Sequence, residues 1–433
     1  MNRQAWIDEF AGKKILIWGF GREGQSSLKW IRNLCPELPV AIADSGSSKA
    51  LEEAAQAPFT TVFKEADVDF SAYDRILKSP GIVIPEGMDR SAMTQQSELF
   101  LKHQGFQTIG ITGTKGKSTT TSLTAAVLRQ KFHTHLVGNI GIPCFDILPE
   151  LKDDDLVAFE ISCHQLEYGS YSPHLAVYLN LYEEHLDHYG SFQAYGDAKA
   201  TIFRHQHEGD IAILHQDLPY CRERRDAILI GKDIRADENA LYFRDKQHAL
   251  PHTKLIGAHN RVNLAVVYAI SCLLGLSDEQ FDQGAESFEP LAHRLQPVGV
   301  KHGIHYVNDS ISTIGQTAIA ALQALPETDV ILIGGMDRGI EYNELEEYLF
   351  HHPDLHVIFM YASGHRVYQE LKEKSMTHDH MHVCDDLEAA VQKASSLCRR
   401  DHIVLLSPAA SSYDHFKNFE ERGAVFTDLV NRL

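Results

Sequence analysis

Short apolar runs recur along the whole chain, and most of them lack the alternation of apolar and polar residues that marks a strand with one solvated face. Such runs predict strands buried on both faces, and the stretches between them are long enough for helices. The pattern therefore predicts an α/β fold with mostly parallel sheets. The runs are 14–18, 40–44, 108–112, 156–160, 175–179, 304–308, 330–334, 356–360 and 403–407.

Several of these runs end in Gly, Asp, Glu, Asn or Ser. In a parallel sheet these polar residues arrive at the carboxyl edge of the strands, where ligands bind. We therefore expect the functional residues to cluster at the ends of the strands.

Composition narrows the class of protein. The 433 residues predict roughly two to four domains. A polar, helix-like stretch at 93–104 leads up to the first predicted domain boundary, near residue 103. The net charge of −19 argues against general binding to nucleic acids, whose phosphate backbone is also negative. Seven cysteines without a C-x-x-C pair favour a reducing cytoplasm. The longest uncharged apolar run, 264–276, is too short to span a membrane.

A first glycine-rich loop, 19–24, follows a predicted strand and precedes a helical run. Its glycines permit a tight turn, the helix N-terminus attracts phosphate, and Asp44 ends the next strand. The loop predicts a site for NAD or another phosphate-bearing nucleotide, with a purely structural turn as the alternative.

A second loop, Gly-Thr-Lys-Gly-Lys-Ser at 113–118, is followed by three threonines. Its backbone N–H groups can surround phosphates, Lys117 can neutralise them, and Ser118 can offer a hydroxyl to Mg²⁺. Ile111 stands where the usual phosphate-loop pattern has its first glycine. This loop predicts a nucleoside-triphosphate site with a tighter turn than usual.

Candidate metal ligands are Glu160 at a strand end, and His185 with Asp187 after the following strand. Mg²⁺ prefers oxygen ligands, so Glu160 with Ser118 is natural and a histidine ligand is unusual. On its own, His185 among 25 histidines reads as an ordinary core or surface residue, and Lys199 reads as a solvated helix lysine.

Together, eight segments resemble the Mur ligases, in the family's order and over essentially the whole chain. They are 113–118, Gly-Asn-Ile-Gly at 138–141, Glu-Ile-Ser-Cys-His-Gln at 160–165, Glu-His-Leu-Asp at 184–187, Ala-His-Asn-Arg-Val-Asn at 258–263, His-Arg at 293–294, Asn-Asp-Ser at 308–310 and the tail at 406–423.

The resemblance implies three domains. Residues 1–103 would form a Rossmann-like domain for the UDP group, 104–292 a central phosphate-loop ATPase domain, and 293–433 a Rossmann-like domain for the amino acid. In this family the first loop holds uridine diphosphate and not NAD, with unchanged physical logic, since a pyrophosphate also suits a helix N-terminus.

The implied reaction is an ATP-dependent ligation in peptidoglycan precursor synthesis. ATP phosphorylates the alanyl carboxylate of UDP-N-acetylmuramoyl-L-alanine, and the amino group of glutamate, D-glutamate in the well-known members, attacks the acyl phosphate. Charge develops on oxygens in both steps, so cations and preorganised donors would supply most of the catalysis. The implied cofactors are ATP and Mg²⁺, in a cytoplasmic monomer without nucleic-acid partners.

The resemblance also implies site residues. Catalysis is expected at Lys117, Glu160, His185 and Lys199, with Ser118, Glu160, His185 and a carbamylated Lys199 holding Mg²⁺. ATP is expected at Gly113, Thr114, Lys115, Gly116, Lys117, Ser118, Thr119, Asn260, Asn263, Arg294 and Asp309. The UDP substrate is expected at Gly19, Gly21, Arg22, Glu23, Gly24, Asp44, Ser79, Pro80, Gly81, Asn139, Ser162 and Gln165. Glutamate is expected at Thr313, Arg338, Ser412 and Phe419.

One departure concerns the amino-acid pocket. After Asn-Asp-Ser at 308–310 the well-known ligases carry a lysine, and this chain has Ile311. Arg338 aligns with a glutamate-binding lysine, and its guanidinium can bind a carboxylate with two hydrogen bonds.

Four alternatives to a D-glutamate ligase remain open for the protein's function. They are a divergent ligase for L-glutamate or another acidic amino acid, a folylpolyglutamate-type synthetase, a Rossmann oxidoreductase and a non-catalytic nucleotide-binding paralogue.

Overall fold

The computed structural model describes residues 2–255, 257–290 and 292–433. Two compact units are formed, one by Met1–His252 with Arg261–Phe288 and the other by Thr253–Asn260 with Glu289–Leu433. The first unit contains two sheets and the second contains one. All nine predicted runs form strands, and the α/β fold with mostly parallel sheets is confirmed. The domain boundaries near residues 103 and 292 stay a prediction.

The first sheet has five parallel strands in the order β3-β2-β1-β4-β5. Its strands are β1 (Ile15–Trp18), β2 (Val40–Asp44), β3 (Thr60–Lys64), β4 (Arg75–Lys78) and β5 (Met93–Thr94). The helices in this part of the chain are α1 (Arg3–Phe10), α2 (Arg22–Leu34), α3 (Lys49–Gln56) and α4 (Gln96–Gln104). The predicted helical stretch 93–104 is wrong at its start, because Met93–Thr94 pairs with β4 and the helix begins at Gln96.

The second sheet has nine strands in the order β14-β13-β12-β11-β10-β9-β6-β8-β7. They are β6 (Thr108–Thr112), β7 (Thr134–Gly138), β8 (Leu156–Glu160), β9 (Leu175–Tyr178), β10 (Ile211–His215), β11 (Ile228–Ile230), β12 (Ile234–Ala236), β13 (Ala240–Phe243) and β14 (Lys246–Ala249). The strands from β6 to β12 pair in parallel, and β13 and β14 add an antiparallel ribbon. The helices are α5 (Lys117–Leu128), α6 (Cys163–Leu166), α7 (Leu186–Tyr189), α8 (Phe192–Arg204), α9 (Ala258–Leu273) and α10 (Asp278–Glu286).

The third sheet has six strands in the order β15-β16-β20-β17-β18-β19, and only the β15–β16 pair is antiparallel. The strands are β15 (Gln296–Lys301), β16 (Ile304–Asn308), β17 (Thr328–Ile333), β18 (His356–Met360), β19 (Met381–Cys384) and β20 (Ile403–Leu406). The helices are α11 (Gly315–Ala324), α12 (Asn343–Phe350), α13 (Tyr361–Glu373), α14 (Leu387–Leu397) and α15 (Phe419–Arg432). Short 3₁₀ turns lie at Glu65–Asp67, Phe70–Ala72, Gly105–Gln107, Cys144–Ile147 and Pro219–Arg222.

Aromatic packing joins the two sheets of the first unit. Trp6 of α1 is fully buried, with its ring edge-on to Trp30 of α2 at 5.8 Å and to Phe145 at 5.2 Å. Edge-to-face pairs of this kind add to the free energy gained by burying the rings. Among the described residues, no helix combines the length and the apolar character needed to cross a membrane.

A buried carboxylate fixes α1 to the first unit. Glu9 is 5% exposed, and Oε1 lies 2.9 Å from His103 Nε2 and accepts a hydrogen bond from Lys102, while Oε2 lies 3.0 Å from Arg75 Nη2. The hydrogen bond with His103, followed by the two neighbouring cations, lowers the pKa of Glu9 to about 2. The ionised carboxylate therefore stabilises the fold above its ordinary pKa of 4.5, and this contribution is lost as the pH falls from 4.5 towards 2.

Replacing Glu9 with glutamine tests this contribution. We expect Glu9→Gln to lower the free energy of unfolding by about 1–3 kcal/mol at neutral pH, because hydrogen bonds to a charged partner are lost. Denaturant unfolding measures the difference, which should shrink below about pH 4.5. The control Glu53→Gln alters an exposed pair with Lys49 and should change stability by under about 1 kcal/mol. Equal effects of both variants would contradict this account.

Candidate active site

The second glycine-rich loop connects β6 to the N-terminus of α5. Gly116 precedes the helix with a φ of +82°, a left-handed conformation that favours glycine. Gly113 also has a positive φ, and a Cβ there would lie 3.0 Å from the Cβ of Leu179. The loop is therefore tight because both of these positions are glycines. It delivers Lys117, Ser118 and Thr119 to the first turn of α5, where backbone N–H groups attract phosphate.

Asn180, two residues beyond β9, shapes this loop. The Asn180 Oδ1 atom accepts hydrogen bonds from the backbone N–H groups of Thr114 at 3.1 Å and of Lys115 at 2.8 Å. Its Nδ2 donates to the Lys115 carbonyl at 3.0 Å, and the Lys115 ammonium pairs with Glu184. Our sequence analysis missed Asn180, although its place just after a buried strand is a signal for such a role.

Lys199 of α8 is buried beneath the loop. It is 1% exposed, and its Nζ donates a hydrogen bond to the Gly113 carbonyl at 2.9 Å and lies 4.6 Å from the centre of the Tyr195 ring. Burial, with the charge of Lys117 second, lowers the pKa of Lys199 to about 7. Lys199 is therefore not the solvated helix lysine that its sequence context alone predicts. Near neutral pH a large fraction of its amine is unprotonated and nucleophilic.

Glu160 ends β8 and is fully buried. The pairing of Gly138 with Glu160 brings Asn139 alongside, and the Asn139 Nδ2 donates to Glu160 Oε1 at 3.0 Å. Glu160 Oε2 has no hydrogen-bond partner among the residues that the structure describes. A buried carboxylate oxygen without a donor is costly, and a bound cation would satisfy it.

A cavity of about 360 Å³ opens at the carboxyl edge of this sheet. It is lined by Pro80, Gly81, Lys117, Asn139, Ser162, Cys163, His164, His185, Tyr195 and Lys199. Residues predicted for ATP, for the UDP substrate and for metal thus share one cavity, and Cys163, His164 and Tyr195 were not predicted. Because the loop after β8 and helix α8 both reach this edge, side chains distant in sequence meet there.

Histidines cluster at the cavity wall. The His164 ring lies 5.0 Å from the His185 ring and 4.6 Å from the His188 ring. Burial, followed by these two neighbours, lowers the pKa of His164 to about 4. His185 has a φ of +55°, in a region that non-glycine residues seldom occupy and that often marks functional positions. The side chain of Asp187 lies outside the described residues.

The first glycine-rich loop is bound to the end of β2. The Asp44 carboxylate accepts hydrogen bonds from the backbone N–H groups of Phe20 and Gly46, both at 2.7 Å. Gly19 has a φ of +88°, and a Cβ on Gly24 would lie 2.2 Å from the Gly19 carbonyl oxygen. Helix α2 therefore begins very close to the loop, with Gly21 as its N-cap, as expected for a loop that holds a pyrophosphate.

Several residues predicted for the UDP substrate bind other protein groups. Arg22 donates to the Gly141 carbonyl, and the Ser79 hydroxyl donates to the Gly19 carbonyl. Gln165 Nε2 donates to Glu23 Oε1 at 2.7 Å, and burial raises the pKa of Glu23.

Ser162 and Gln165 also form the capping box of α6. These contacts connect the first loop to the second sheet within the first unit.

The nucleotide-binding residues predicted beyond the phosphate loop divide between the two units. Asn263 lies beside the phosphate loop, since a Cβ on Gly116 would lie 3.0 Å from its Oδ1. Asn260, Arg294 and Asp309 belong to the second unit. Asp309 is buried and accepts hydrogen bonds from Leu295 N–H and from the Ser407 hydroxyl, and burial raises its pKa to about 7.

The residues predicted for the amino acid follow the carboxyl ends of three adjacent strands of the third sheet. Thr313 follows β16, Arg338 follows β17, and Ser412 and Phe419 follow β20. Arg338 is exposed and Ser412 is buried. This common edge is the expected position for a ligand pocket in a parallel sheet.

A fully buried arginine, missed by our sequence analysis, connects these loops. Arg422 of α15 donates to the hydroxyl and the carbonyl of Ser310 at 3.0 and 2.7 Å, and to the carbonyls of Ala410 and Ser411 at 3.0 and 3.3 Å. Its guanidinium thereby joins the loop after β16 to the loop after β20. No local pattern in the sequence singles out Arg422, because α15 carries four further charged residues.

The chain is similar to known proteins along nearly its whole length. Residues 111–271 match the family model described as the Mur ligase middle domain. The chain is 34% identical to a UDP-N-acetylmuramoyl-L-alanine--L-glutamate ligase of Xanthomonas campestris, over 98% of this chain and 96% of that protein. It is 31% identical to a UDP-N-acetylmuramoylalanine--D-glutamate ligase of Bacillus mycoides, over 99% of both. The fold is similar to that of MurF from Acinetobacter baumannii, with a TM-score of 0.65, 18% identity and coverage of 90% of this chain and 91% of that one.

These relatives extend over nearly the full chain, and the chain belongs to the Mur ligase family. It is an ATP-dependent ligase that forms an amide bond in peptidoglycan precursor synthesis.

Proposed function

We propose that this ligase joins glutamate to the alanyl carboxylate of UDP-N-acetylmuramoyl-L-alanine. The observation that carries the proposal is the cavity at the carboxyl edge of the second sheet. It places Lys117 of the phosphate loop beside Asn139 and Ser162 of the predicted substrate side, with Lys199 in the same wall. A triphosphate on the loop and a carboxylate in the cavity are then neighbours.

The proposed reaction has two steps. An oxygen of the alanyl carboxylate attacks the γ-phosphorus of ATP, which forms an acyl phosphate and releases ADP. The unprotonated amine of glutamate then attacks the acyl carbon, the nitrogen loses one proton to solvent or phosphate, the amide forms, and phosphate leaves with one former carboxylate oxygen. Lys117 and the N–H groups of Lys117, Ser118 and Thr119 at the start of α5 stabilise the charge that develops on phosphate oxygens.

Mg²⁺ fits the site, because Glu160 Oε2 is buried and has no hydrogen-bond donor among the described residues. Ser118, Glu160 and His185 would hold one Mg²⁺ ion, and a carbamylated Lys199 would hold a second beside the reacting carboxylate. When bound, Mg²⁺ would supply Lewis-acid stabilisation of charged oxygens.

Carbamylation of Lys199 is part of the proposal. Its unprotonated Nζ attacks carbon dioxide, a C–N bond forms, and one proton is released. The pKa of about 7 supports this step, since a protonated amine has no lone pair to donate. The product exchanges a buried cation for an anion close to Glu160, which requires a bound cation as counter-charge.

The remaining assignments follow the predicted site. We assign the UDP group to the first glycine-rich loop with Asp44, and ATP to the phosphate loop with Asn260, Asn263, Arg294 and Asp309. Glutamate is assigned to the carboxyl edge of the third sheet. We propose a domain for each sheet, with boundaries near residues 103 and 292. We also propose a cytoplasmic location, since all seven cysteines are free.

Two candidates differ in the enantiomer of glutamate. D-glutamate is the substrate named for the Bacillus mycoides ligase, and L-glutamate is the one named for the Xanthomonas campestris ligase, whose identity to this chain is higher. Ile311, where the well-known D-glutamate ligases carry lysine, and Arg338 support a divergent pocket. We propose D-glutamate, the substrate of the well-known members, as the first candidate. L-glutamate is the second candidate, and the higher identity and the divergent pocket favour it.

A ligation assay tests both the reaction and the pocket. The purified chain is incubated with ATP, Mg²⁺ and UDP-N-acetylmuramoyl-L-alanine, in parallel with D-glutamate, L-glutamate and aspartate. We expect ADP and an amide product only when sugar nucleotide and one glutamate enantiomer are both present. The active enantiomer decides between the two candidates. ADP release that needs neither substrate, or product with aspartate alone, would contradict the proposal.

Two substitutions test the metal and carbamate assignments. We expect Glu160→Gln and Lys199→Ala each to lower kcat by about 100-fold or more, because each removes stabilisation of charge at the reacting oxygens. Initial rates at saturating substrates measure the effect, with a thermal unfolding scan to confirm that each variant folds.

Lys232→Ala, at an exposed position of the same unit, is the matched control and should leave kcat unchanged. If both site variants turn over like the wild type, the assignments of Glu160 and Lys199 are wrong.

A further inference from the structure

A second group of ligand-type side chains lies at the amino end of β7. His133, one residue before the strand, and His135 within it flank the buried carboxylate of Asp155. His133 Nδ1 lies 2.9 Å from Asp155 Oδ1, and His135 Nε2 lies 3.0 Å from Oδ2. The three potential ligand atoms lie within 4.8 Å of one another. None of these residues belongs to the site proposed above.

The sheet brings these three residues together. Residues two apart on a strand face the same side, so His133 and His135 present their imidazoles together. Asp155 directly precedes β8, and the Leu156 N–H donates to the His133 carbonyl at 2.9 Å, which sets the carboxylate opposite the histidines. The Lys152 N–H donates to Asp155 Oδ2 at 3.0 Å and fixes the carboxylate further. The ligand set is therefore held by backbone pairing.

We propose that His133, His135 and Asp155 form a zinc site. Two imidazoles and one carboxylate are ligands that zinc accepts, whereas Mg²⁺ prefers oxygens. On binding, any proton on His133 Nδ1 or His135 Nε2 moves to the other nitrogen of its ring or to solvent, and the two neutral imidazoles and a carboxylate oxygen bind the metal.

The three side chains combine access from solvent with a buried carboxylate. The His133 side chain is 69% exposed and that of Asp155 is 2% exposed, so an ion reaches the ligands from solvent and meets a desolvated carboxylate. A cavity of about 690 Å³ lies beside them and is lined by both histidines and by Glu150, and also by the basic residues Arg129 and Lys131. It leaves room for a fourth ligand, such as water, as in zinc sites with three protein ligands.

The zinc site is distinct from the nucleotide site. The two ends of β7 are about 13 Å apart at 3.3 Å per residue, and Asn139 follows the carboxyl end while the cluster lies at the amino end. β7 is an edge strand of its sheet. A zinc ion bound to β7 and to the residue before β8 would therefore fasten this edge strand to its neighbour.

Calorimetric titration of the full-length, tag-free and chelator-treated chain with zinc chloride tests the proposal. We expect one tight equivalent in the wild type, and its loss, or at least about a tenfold fall in affinity, in His133→Ala and in His135→Ala. Because the His133 side chain is exposed, we expect the His133→Ala variant to fold normally. Zinc should raise the Tm of the wild type and leave unchanged that of the double variant, which combines His133→Ala with His135→Ala.

The matched control is His207→Ala, an exposed histidine of the same unit, which should keep the tight equivalent. Other histidines of the chain can add weak equivalents, so the decisive quantity is the difference between wild type and double variant. Equal stoichiometry and affinity in those two proteins would overturn the proposal. Ligase activity with ATP and Mg²⁺ should be unaffected in the double variant, so this test is independent of the proposed substrates.

Discussion

The parallel pairing of β6 with β8 and β9 is the constraint on which the active site depends. Ile111 pairs with Glu160 and Thr112 pairs with Tyr178, so the three strands end at one edge of the sheet. The phosphate loop, the buried carboxylate and Asn180 are thereby brought to one place from distant parts of the chain. The loop's two positive-φ glycines matter because they let the chain turn tightly at this edge.

The burial of charged groups at this edge is unusual for a sheet edge and supports the proposed site. Lys199 and Glu160 are both buried, and both stand close to the phosphate loop without forming a simple ion pair with each other. Such an arrangement costs stability unless further charges complete it. A nucleotide, a cation and a carbamate would supply those charges. In the proposed site, bound ligands would therefore supply the partner charges that these buried groups lack in the protein alone.

The α/β fold could be predicted from the sequence because strands buried on both faces leave uninterrupted apolar runs. All nine runs that we identified form strands. The edge strand β3, with partly exposed and exposed residues, and the short strands β12 and β14 carry no such run, and pairing with neighbouring strands defines them. Strands β11 and β13 do carry short apolar runs, which our sequence analysis missed. The loops around Lys117 and Gly19 were predictable from glycine and lysine spacing. Tyr195 and Arg422 were not, because their roles arise from contacts across the fold that no local pattern encodes. Asn180 had one local signal, its place just after a buried strand, but its hydrogen bonds to the phosphate loop also arise from the fold.

The central claim is that a carboxylate oxygen becomes part of the released phosphate. It is tested most directly by supplying UDP-N-acetylmuramoyl-L-alanine labelled with ¹⁸O in its alanyl carboxylate and analysing the inorganic phosphate by mass spectrometry. Transfer through an acyl phosphate predicts one labelled oxygen in each phosphate formed during ligation. Unlabelled phosphate alongside amide product would contradict the account.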